Sequence, residues 1–438
     1  MKRNDFLLRS PNAARLYHEH AEMLPLIDIS CRYSAEDIAK NKKISNITEL
    51  WLYGNRGLQN TMRACGIDEK YITGCASDFE KFKEICRAMP MLQGNPQSIA
   101  CHDDLNRYFD CDLSINSENC ENIWHLTSNK LMEGALGVTD MMKDTHVSAI
   151  FTRESPHSNL KHLEQLTISL PEIKVIPTLD TDPLTAIYAK GIEPSIRSLA
   201  NVANIDVSDI DNFTAALSHV LDNFISRGCA AVIYTLTEYT DFVKPDKYHA
   251  NEILKRILRG EGSTLNAYDK SLWLSQLLRT IGIECNKCNL TLQIDIGNRT
   301  SVEATVSLFE YLQSENALPQ TVIIPHSPVD VLLAAELCNR FSNHKNNGTP
   351  SVVCGISNEL AGEQIYLLSS LLPIGTAILC TSYDRSDLLK RSLCQAVGDW
   401  LNNGVCKDYQ AAADTVEKVS YLNILNVIEH FVIDNNKK

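Results

Sequence analysis

The sequence predicts an α/β protein built as a (β/α)8 barrel, the TIM-barrel architecture, with a helical insertion after its first strand. Two observations carry this. Eight short runs rich in apolar and β-branched residues recur along the 438 residues. Most are continuously hydrophobic rather than alternating, which is the pattern of strands buried on both faces. Stretches of helical period lie between most of them, and strand alternating with helix eight times argues for a parallel barrel.

The first run, Leu24 to Ser30, reads as a buried strand that delivers Ser30, Cys31 and Arg32 to its carboxyl end. Residues 33 to 146 then carry helical and turn signals but no clear strand. That interval is too long for one crossover helix, so an insertion is expected there. The remaining strands are Val147 to Thr152, Ile173 to Leu179, Ala230 to Leu236, Thr291 to Ile296, Thr321 to His326, Ser351 to Ile356 and Thr376 to Thr381. Helical period is clear in Phe213-Ala216-Leu217-Val220-Leu221-Phe224, in Leu272-Leu274-Leu277-Leu278-Ile281 and in Val331-Leu332-Ala335-Leu337-Phe341. Lys345 to Pro350 reads as a surface loop, and Leu388 to Val405 and Ala411 to Phe431 as closing helices. The expected division is residues 1–33 for the N-terminal segment and first strand, 34–146 for the insertion, and 147–438 for the rest of the barrel and its closing helices.

Composition narrows the function classes. Hydrophobic content of 44% and charged content of 22% are those of a soluble globular chain. A net charge of -13 makes nucleic acid and anionic membrane poor partners. No segment approaches the roughly 18 apolar residues of a membrane span, and no apolar stretch follows Met1-Lys2-Arg3, so a cytoplasmic protein is expected. The fifteen cysteines fall singly in apolar runs, as buried free thiols do. The one C-x-x-C, Cys285 to Cys288, has no second pair to complete a zinc site. Cys101-His102, Cys111 and Cys120 form only a loose group, read as structural.

A family resemblance rests on particular residues. They include Phe6-Leu7-Leu8, Ala14-Arg15-Leu16-Tyr17-His18, Leu24-Pro25-Leu26-Ile27-Asp28, Asn46-Ile47-Thr48-Glu49-Leu50-Trp51-Leu52 and Met62-Arg63-Ala64. Tyr71-Ile72-Thr73-Gly74, Ala76-Ser77-Asp78, Gly94-Asn95-Pro96, Lys174-Val175-Ile176-Pro177, Leu393-Cys394 and Gly398-Asp399-Trp400 continue it. On these the chain resembles the uronate isomerase (glucuronate isomerase) family, barrels of the amidohydrolase type, over nearly its whole length. The resemblance implies an aldose–ketose isomerisation of D-glucuronate to D-fructuronate and of D-galacturonate to D-tagaturonate, with a divalent metal at the barrel mouth.

The same resemblance exposes departures at the positions that would do this chemistry. The family's metal-binding His-x-His pair becomes Ser30 and Arg32; serine is a poor ligand and a guanidinium has no lone pair to give. Of a His-bearing run after Gly94-Asn95-Pro96 only His102 remains. Thr-Thr-Asp-Asp-Pro after the second strand becomes Thr152-Arg153-Glu154-Ser155-Pro156, and Trp-Arg-Pro after the third becomes Leu179-Asp180-Thr181. Asp-His after the fourth becomes Ile233-Tyr234, the fifth-strand His becomes Gln293, and Gly-Trp-Trp after the seventh becomes Gly355-Ile356-Ser357. The eighth-strand Asp aligns to Thr376 without gaps, or to Asp384 with a local shift. The expectation is a scaffold without the metal ligands: no cofactor, impaired catalysis, and Ser30, Arg32, Gln293 and Thr376 together at the mouth. The partners expected are a small sugar acid and either a second copy of the chain or an active homologue.

The alternative is an active isomerase or hydrolase with a metal-free or rebuilt site. Glu154 is its candidate base. Asp180, Asp295 and His326, with Asp182, Ser327 and Asn358 nearby, are its candidate rebuilt metal site. A lone His102 reads more simply as a hydrogen-bonded structural histidine. His18 and His20, two apart on a helix, face different directions and make no ligand pair. Arg63 reads as a packing residue or as the partner of a carboxylate.

Overall fold

Each of the eight apolar runs carries one strand of a parallel sheet, in chain order from β1 to β8. The computed structural model describes residues 5–134, 136–143, 145–186, 192–236, 239–296, 300–326, 328–342, 350–357, 363–380 and 386–432. The strands are β1 (Leu26–Asp28), β2 (Val147–Glu154), β3 (Lys174–Asp180), β4 (Ala231–Leu236), β5 (Thr291–Ile296), β6 (Thr321–Ile324), β7 (Val352–Ser357) and β8 (Ile378–Cys380). Alternation of side chains along each strand divides the core in two. Ile27, Phe151, Ile176, Ala231, Val322, Val353 and Ile378 share one inner cluster. Because that cluster joins β1 and β8, the sheet curls into a barrel. The opposite faces, with Ile150, Leu179, Val232, Leu292 and Ile323, pack under the surrounding helices.

Local chemistry starts and stops the crossovers. Asp209 caps the Ile210–Ser226 helix by accepting from the Asn212 amide. The Ala267–Cys288 helix ends at Asn289 in the left-handed conformation, φ +54°, which turns the chain into β5.

The insertion between β1 and β2 is helical throughout its described elements, from Ala35–Ala39 to Val138–Lys143. Capping boxes at Ser34 and Ser77 set two of its helices. Its core stacks Phe82 against Trp51 and Trp124, with ring centroids 5.9 and 5.5 Å apart. The Trp51 indole donates to Asp104 at 3.0 Å, so its buried N–H is satisfied.

The amino-terminal end of the barrel is closed by the Asn423–Val432 helix. Its Ile424, Val427 and Ile428 belong to the inner cluster, and the Asn423 side chain donates to the Gly375 and Ala377 carbonyls at 2.7 and 2.8 Å. The Pro11–Leu16 helix packs on the Ser386–Asn402 helix at Gly398, where a Cβ would stand 2.7 Å from the Ala13 backbone. The glycine of Gly398-Asp399-Trp400 is therefore required by close approach. Among the described residues no helix is long and apolar enough to cross a membrane.

Here one expectation fails. Thr376 does not stand at the barrel mouth. It ends the 3-10 turn Ile374–Thr376 ahead of β8, with its hydroxyl donating to the Pro373 carbonyl at 2.8 Å. Pro373 and Gly375 delay the strand to Ile378, which leaves Thr376 at the opposite, amino-terminal end. Asp384, the alternative position, lies outside the described residues, as do Ser327 and Asn358.

Candidate functional site

The carboxyl ends of the strands are where a (β/α)8 barrel gathers its functional groups. On β2, Ala149 and Phe151 face inward, so alternation turns Arg153 inward as well. On β3 and β5 the same rule turns Thr178, Asp180, Gln293 and Asp295 to the interior. The register then sets Arg153 beside Thr178, Asp180 beside Ile233, and Asp295 beside Thr235.

These side chains form one ionic cluster. Arg153 Nη2 donates to Asp295 Oδ2 at 3.1 Å. Asp180 Oδ2 lies 3.6 Å from Nε, and Asp182 Oδ2 lies 3.9 Å from Nη2. On the far side of Asp295, His326 Nε2 stands 3.5 Å from Oδ1. The Asp182 amide donates to Asp180 Oδ1 at 2.9 Å and holds the two acids together.

The electrostatics follow from this crowding. Burial works against the Arg153 charge, and Asp295, Asp180 and Asp182 more than offset it, so its pKa rises. Burial pushes the Asp180 carboxyl up to about 6, with Arg153 pulling down and Asp182 and Asp295 repelling. Burial also opposes the Asp295 charge, but His326 and Arg153, with Arg56 further off, hold that carboxyl down at about 2. Arg56 opens the Arg56–Ala64 helix, so the insertion contributes charge to the mouth.

Asp180, Asp295 and His326 do come together, as the rebuilt-site reading expects. A guanidinium stands among the carboxylates, however, in the place a divalent ion would need. Among the described residues no group of three or more His, Cys, Asp or Glu side chains has the arrangement to hold a metal. The donor set of the described mouth does not fit a divalent ion.

The other expected residues are placed differently. Ser30 follows β1, its amide donating to the buried Asp28 carboxylate at 2.9 Å. Arg32 is not a buried cation at the mouth. It is exposed, donates to the Tyr53 carbonyl at 3.4 Å and lies over the Tyr33 ring. Gln293 sits one layer below Asp295 on β5 and is 2% exposed, so it is beneath the mouth rather than at it.

Glu154 is not placed as a base for the pocket. Alternation that turns Arg153 in turns Glu154 out, where its carboxylate accepts from the Ala35 amide at 2.6 Å and the Ser158 hydroxyl at 3.1 Å. Burial raises its pKa against the pull of that amide. It holds the start of the Ala35–Ala39 helix.

His102 lies in the insertion. Its Nδ1 donates to the Ser98 carbonyl at 2.8 Å and its Nε2 accepts from the Ile115 amide at 3.3 Å. Both ring nitrogens serve the fold, and the partners fix the tautomer. His18 is bound by Glu22 and Asp5, and His20 by Glu417, so they form no pair. Arg63 holds Glu69 through two bonds of 2.8 and 2.7 Å. Cys101, Cys111, Cys120 and Cys285 are buried and form no disulfide. The central residue of the cluster, Arg153, was legible only as a lost family motif; strand parity on β2 was the signal that could have found it.

Comparison with known proteins agrees with this architecture. The family model described as glucuronate isomerase matches residues 1–306. The chain is 29% identical to a uronate isomerase of Bacillus pumilus, over 95% of this chain and 94% of that protein. It is 28% identical to one of Lachnospira eligens, over 96% and 97%. Among solved structures, uronate isomerase from Thermotoga maritima superposes with a TM-score of 0.77 at 22% identity, covering 98% of this chain and 99% of that one. Glucuronate isomerase from Caulobacter crescentus gives 0.76 at 13% identity, covering 98% and 97%. At those identities the solved structures speak for the fold. The family model spans well over half of the sequence, and on that ground the chain belongs to the glucuronate isomerase family.

Proposed function

We propose that this family member has lost metal-assisted uronate isomerisation and keeps its barrel mouth as a binding site. The observation that carries the reading is Arg153, ion-paired with Asp180, Asp182 and Asp295. A divalent metal polarises a substrate oxygen and carries open coordination positions. A guanidinium held among carboxylates offers neither, and no cofactor is expected to take its place. Ser30 supplies no imidazole, and Arg32 turns away to Tyr53. The net charge of -13 argues against nucleic acid as a partner and suits a cytoplasmic protein. Association with a second copy, or with an active homologue, remains part of the proposal.

The test is conversion of D-glucuronate and D-galacturonate by the purified chain, with added zinc or manganese, alongside elemental analysis. The expected result is no turnover and less than one tightly held metal per several chains. Turnover that depends on added metal would overturn the reading.

A second reading has its own observation. His326 beside Asp295 is an imidazole–carboxylate pair at the mouth, and such a pair can carry a proton between adjacent carbons without a metal. Metal-free turnover abolished by His326→Gln would favour it.

A further inference from the structure

A cavity of about 550 Å³ opens on the outer flank of the barrel, apart from the mouth. Small-molecule sites occupy roughly 300–1,000 Å³. Its floor is the Ala267–Cys288 helix, and its walls include the start of the Ile210–Ser226 helix and the end of the Val302–Ser314 helix. Gln276, Thr280 and Glu284 recur every four residues along the floor helix, so they form one row. They are 7%, 4% and 5% exposed, and all three line the cavity. Gln276 Nε2 donates to Thr280 Oγ1 at 3.1 Å, and Lys287 Nζ donates to Glu284 Oε1 at 2.6 Å. Among the described residues the Thr280 hydroxyl proton, Gln276 Oε1 and Glu284 Oε2 have no further partner. Groups this deeply buried are ordinarily paired. The row therefore holds one donor and two acceptors ready for what enters the cavity.

Six charged side chains line the same space, and their signs cancel. Lys247 lies 2.6 Å from Asp211, Arg279 lies 2.9 Å from Glu315, and Lys287 holds Glu284. Arg279 and Glu284 are about 140° apart around their helix, so they flank the floor from opposite sides. A simple anion would meet three carboxylates here, and a simple cation would meet three positive side chains. An uncharged ligand would strip water from these charges and return nothing to them. A zwitterion can give its ammonium to Glu284 and its carboxylate to Arg279, with charge-assisted hydrogen bonds at both ends. Ile210, Pro245, Ile283 and Tyr311 add apolar surface to the lining.

We infer that this flank cavity binds a zwitterionic α-amino acid with an apolar side chain. The site shares no residue with the mouth, so the inference is independent of what the mouth binds.

The test is calorimetric titration of the full chain with L-leucine and L-phenylalanine. Each is compared with the acid and the amine that lack one of its charges: 4-methylpentanoate and isopentylamine for leucine, 3-phenylpropanoate and phenethylamine for phenylalanine. At least one amino acid is expected to bind about tenfold more tightly than both of its analogues, the worth of a hydrogen bond to a charged group. Glu284→Gln should erase its advantage over the acid, and Arg279→Gln its advantage over the amine. The comparison of analogues needs no variant, so it decides the matter even where a substitution at the buried Glu284 prevents folding. Analogues that match their amino acids would overturn the inference. So would the absence of binding by both amino acids at tens of millimolar, or binding that neither variant weakens.

Discussion

Arg153 decides the character of the mouth because it is one residue inside a ring of acids. Breaking a partly buried ion pair from one side leaves uncompensated charge, which costs at most about 3–5 kcal/mol. Arg153→Met should therefore lower unfolding free energy by up to that amount at pH 7. Urea titration of the variant at pH 7 and pH 5 provides the check, since Asp180, raised to about 6, sheds its charge between them and the loss should shrink. Asp295 behaves in the opposite sense. Its folded pKa of about 2 lies below the ordinary 3.8, so its contribution is present above about pH 4 and is lost as pH falls toward 2. The shift corresponds to about 2 kcal/mol. Asp295→Asn should cost that much at pH 7 and almost nothing at pH 2; a difference independent of pH would contradict the assignment.

At the scale of elements, strand parity and close packing govern. Glu154 ends β2 facing outward and holds the Ala35–Ala39 helix through the Ala35 amide. Glu154→Ala is expected to destabilise the protein by about 1–3 kcal/mol, the cost of an unsatisfied buried amide, while leaving any ligand affinity measured by calorimetry unchanged. A large loss of binding with no loss of stability would return Glu154 to the pocket. Gly398 marks the contact between the Pro11–Leu16 and Ser386–Asn402 helices. A methyl there has no room, so Gly398→Ala should destabilise by about 1–3 kcal/mol despite the better helix propensity of alanine. Thermal unfolding that is unchanged or improved would show that the N-terminal helix can yield.

For the molecule as a whole, the barrel is a core with an apolar stopper at one end and a polar cluster at the other. Ile424, Val427 and Ile428 seal its amino-terminal end, and the polar cluster occupies the carboxyl end. Ile424→Ala should cost about 2–5 kcal/mol, the range for emptying a buried aliphatic site. The loss should appear in denaturant unfolding without a change in ligand affinity, because the stopper and the mouth lie at opposite ends. A coupled loss of both would mean that the interior transmits strain along its length.

Periodicity in the chain was enough to read the architecture. The runs at Val147, Ile173, Ala230 and Thr291 begin within one residue of β2 to β5, because continuous β-branched stretches are buried on both faces in only one kind of sheet. The helical insertion was legible for the same reason, as a long interval without a strand. The site was less so. Asp180, Asp295 and His326 could be named from their place at strand ends, yet their partner Arg153 could not, and Glu154, Arg32, Gln293 and Thr376 were given the wrong surroundings. A spacing identifies which residues reach a strand end. Whether a side chain then points into the barrel, outward to a helix, or a layer deeper depends on strand boundaries and register, and both are set by pairing between segments far apart in the chain. Likewise, the charge at the mouth is a property of Arg153 on β2 and three acids from β3, β5 and the turn after β3, and it exists only once the barrel has brought each acid within 4 Å of the guanidinium.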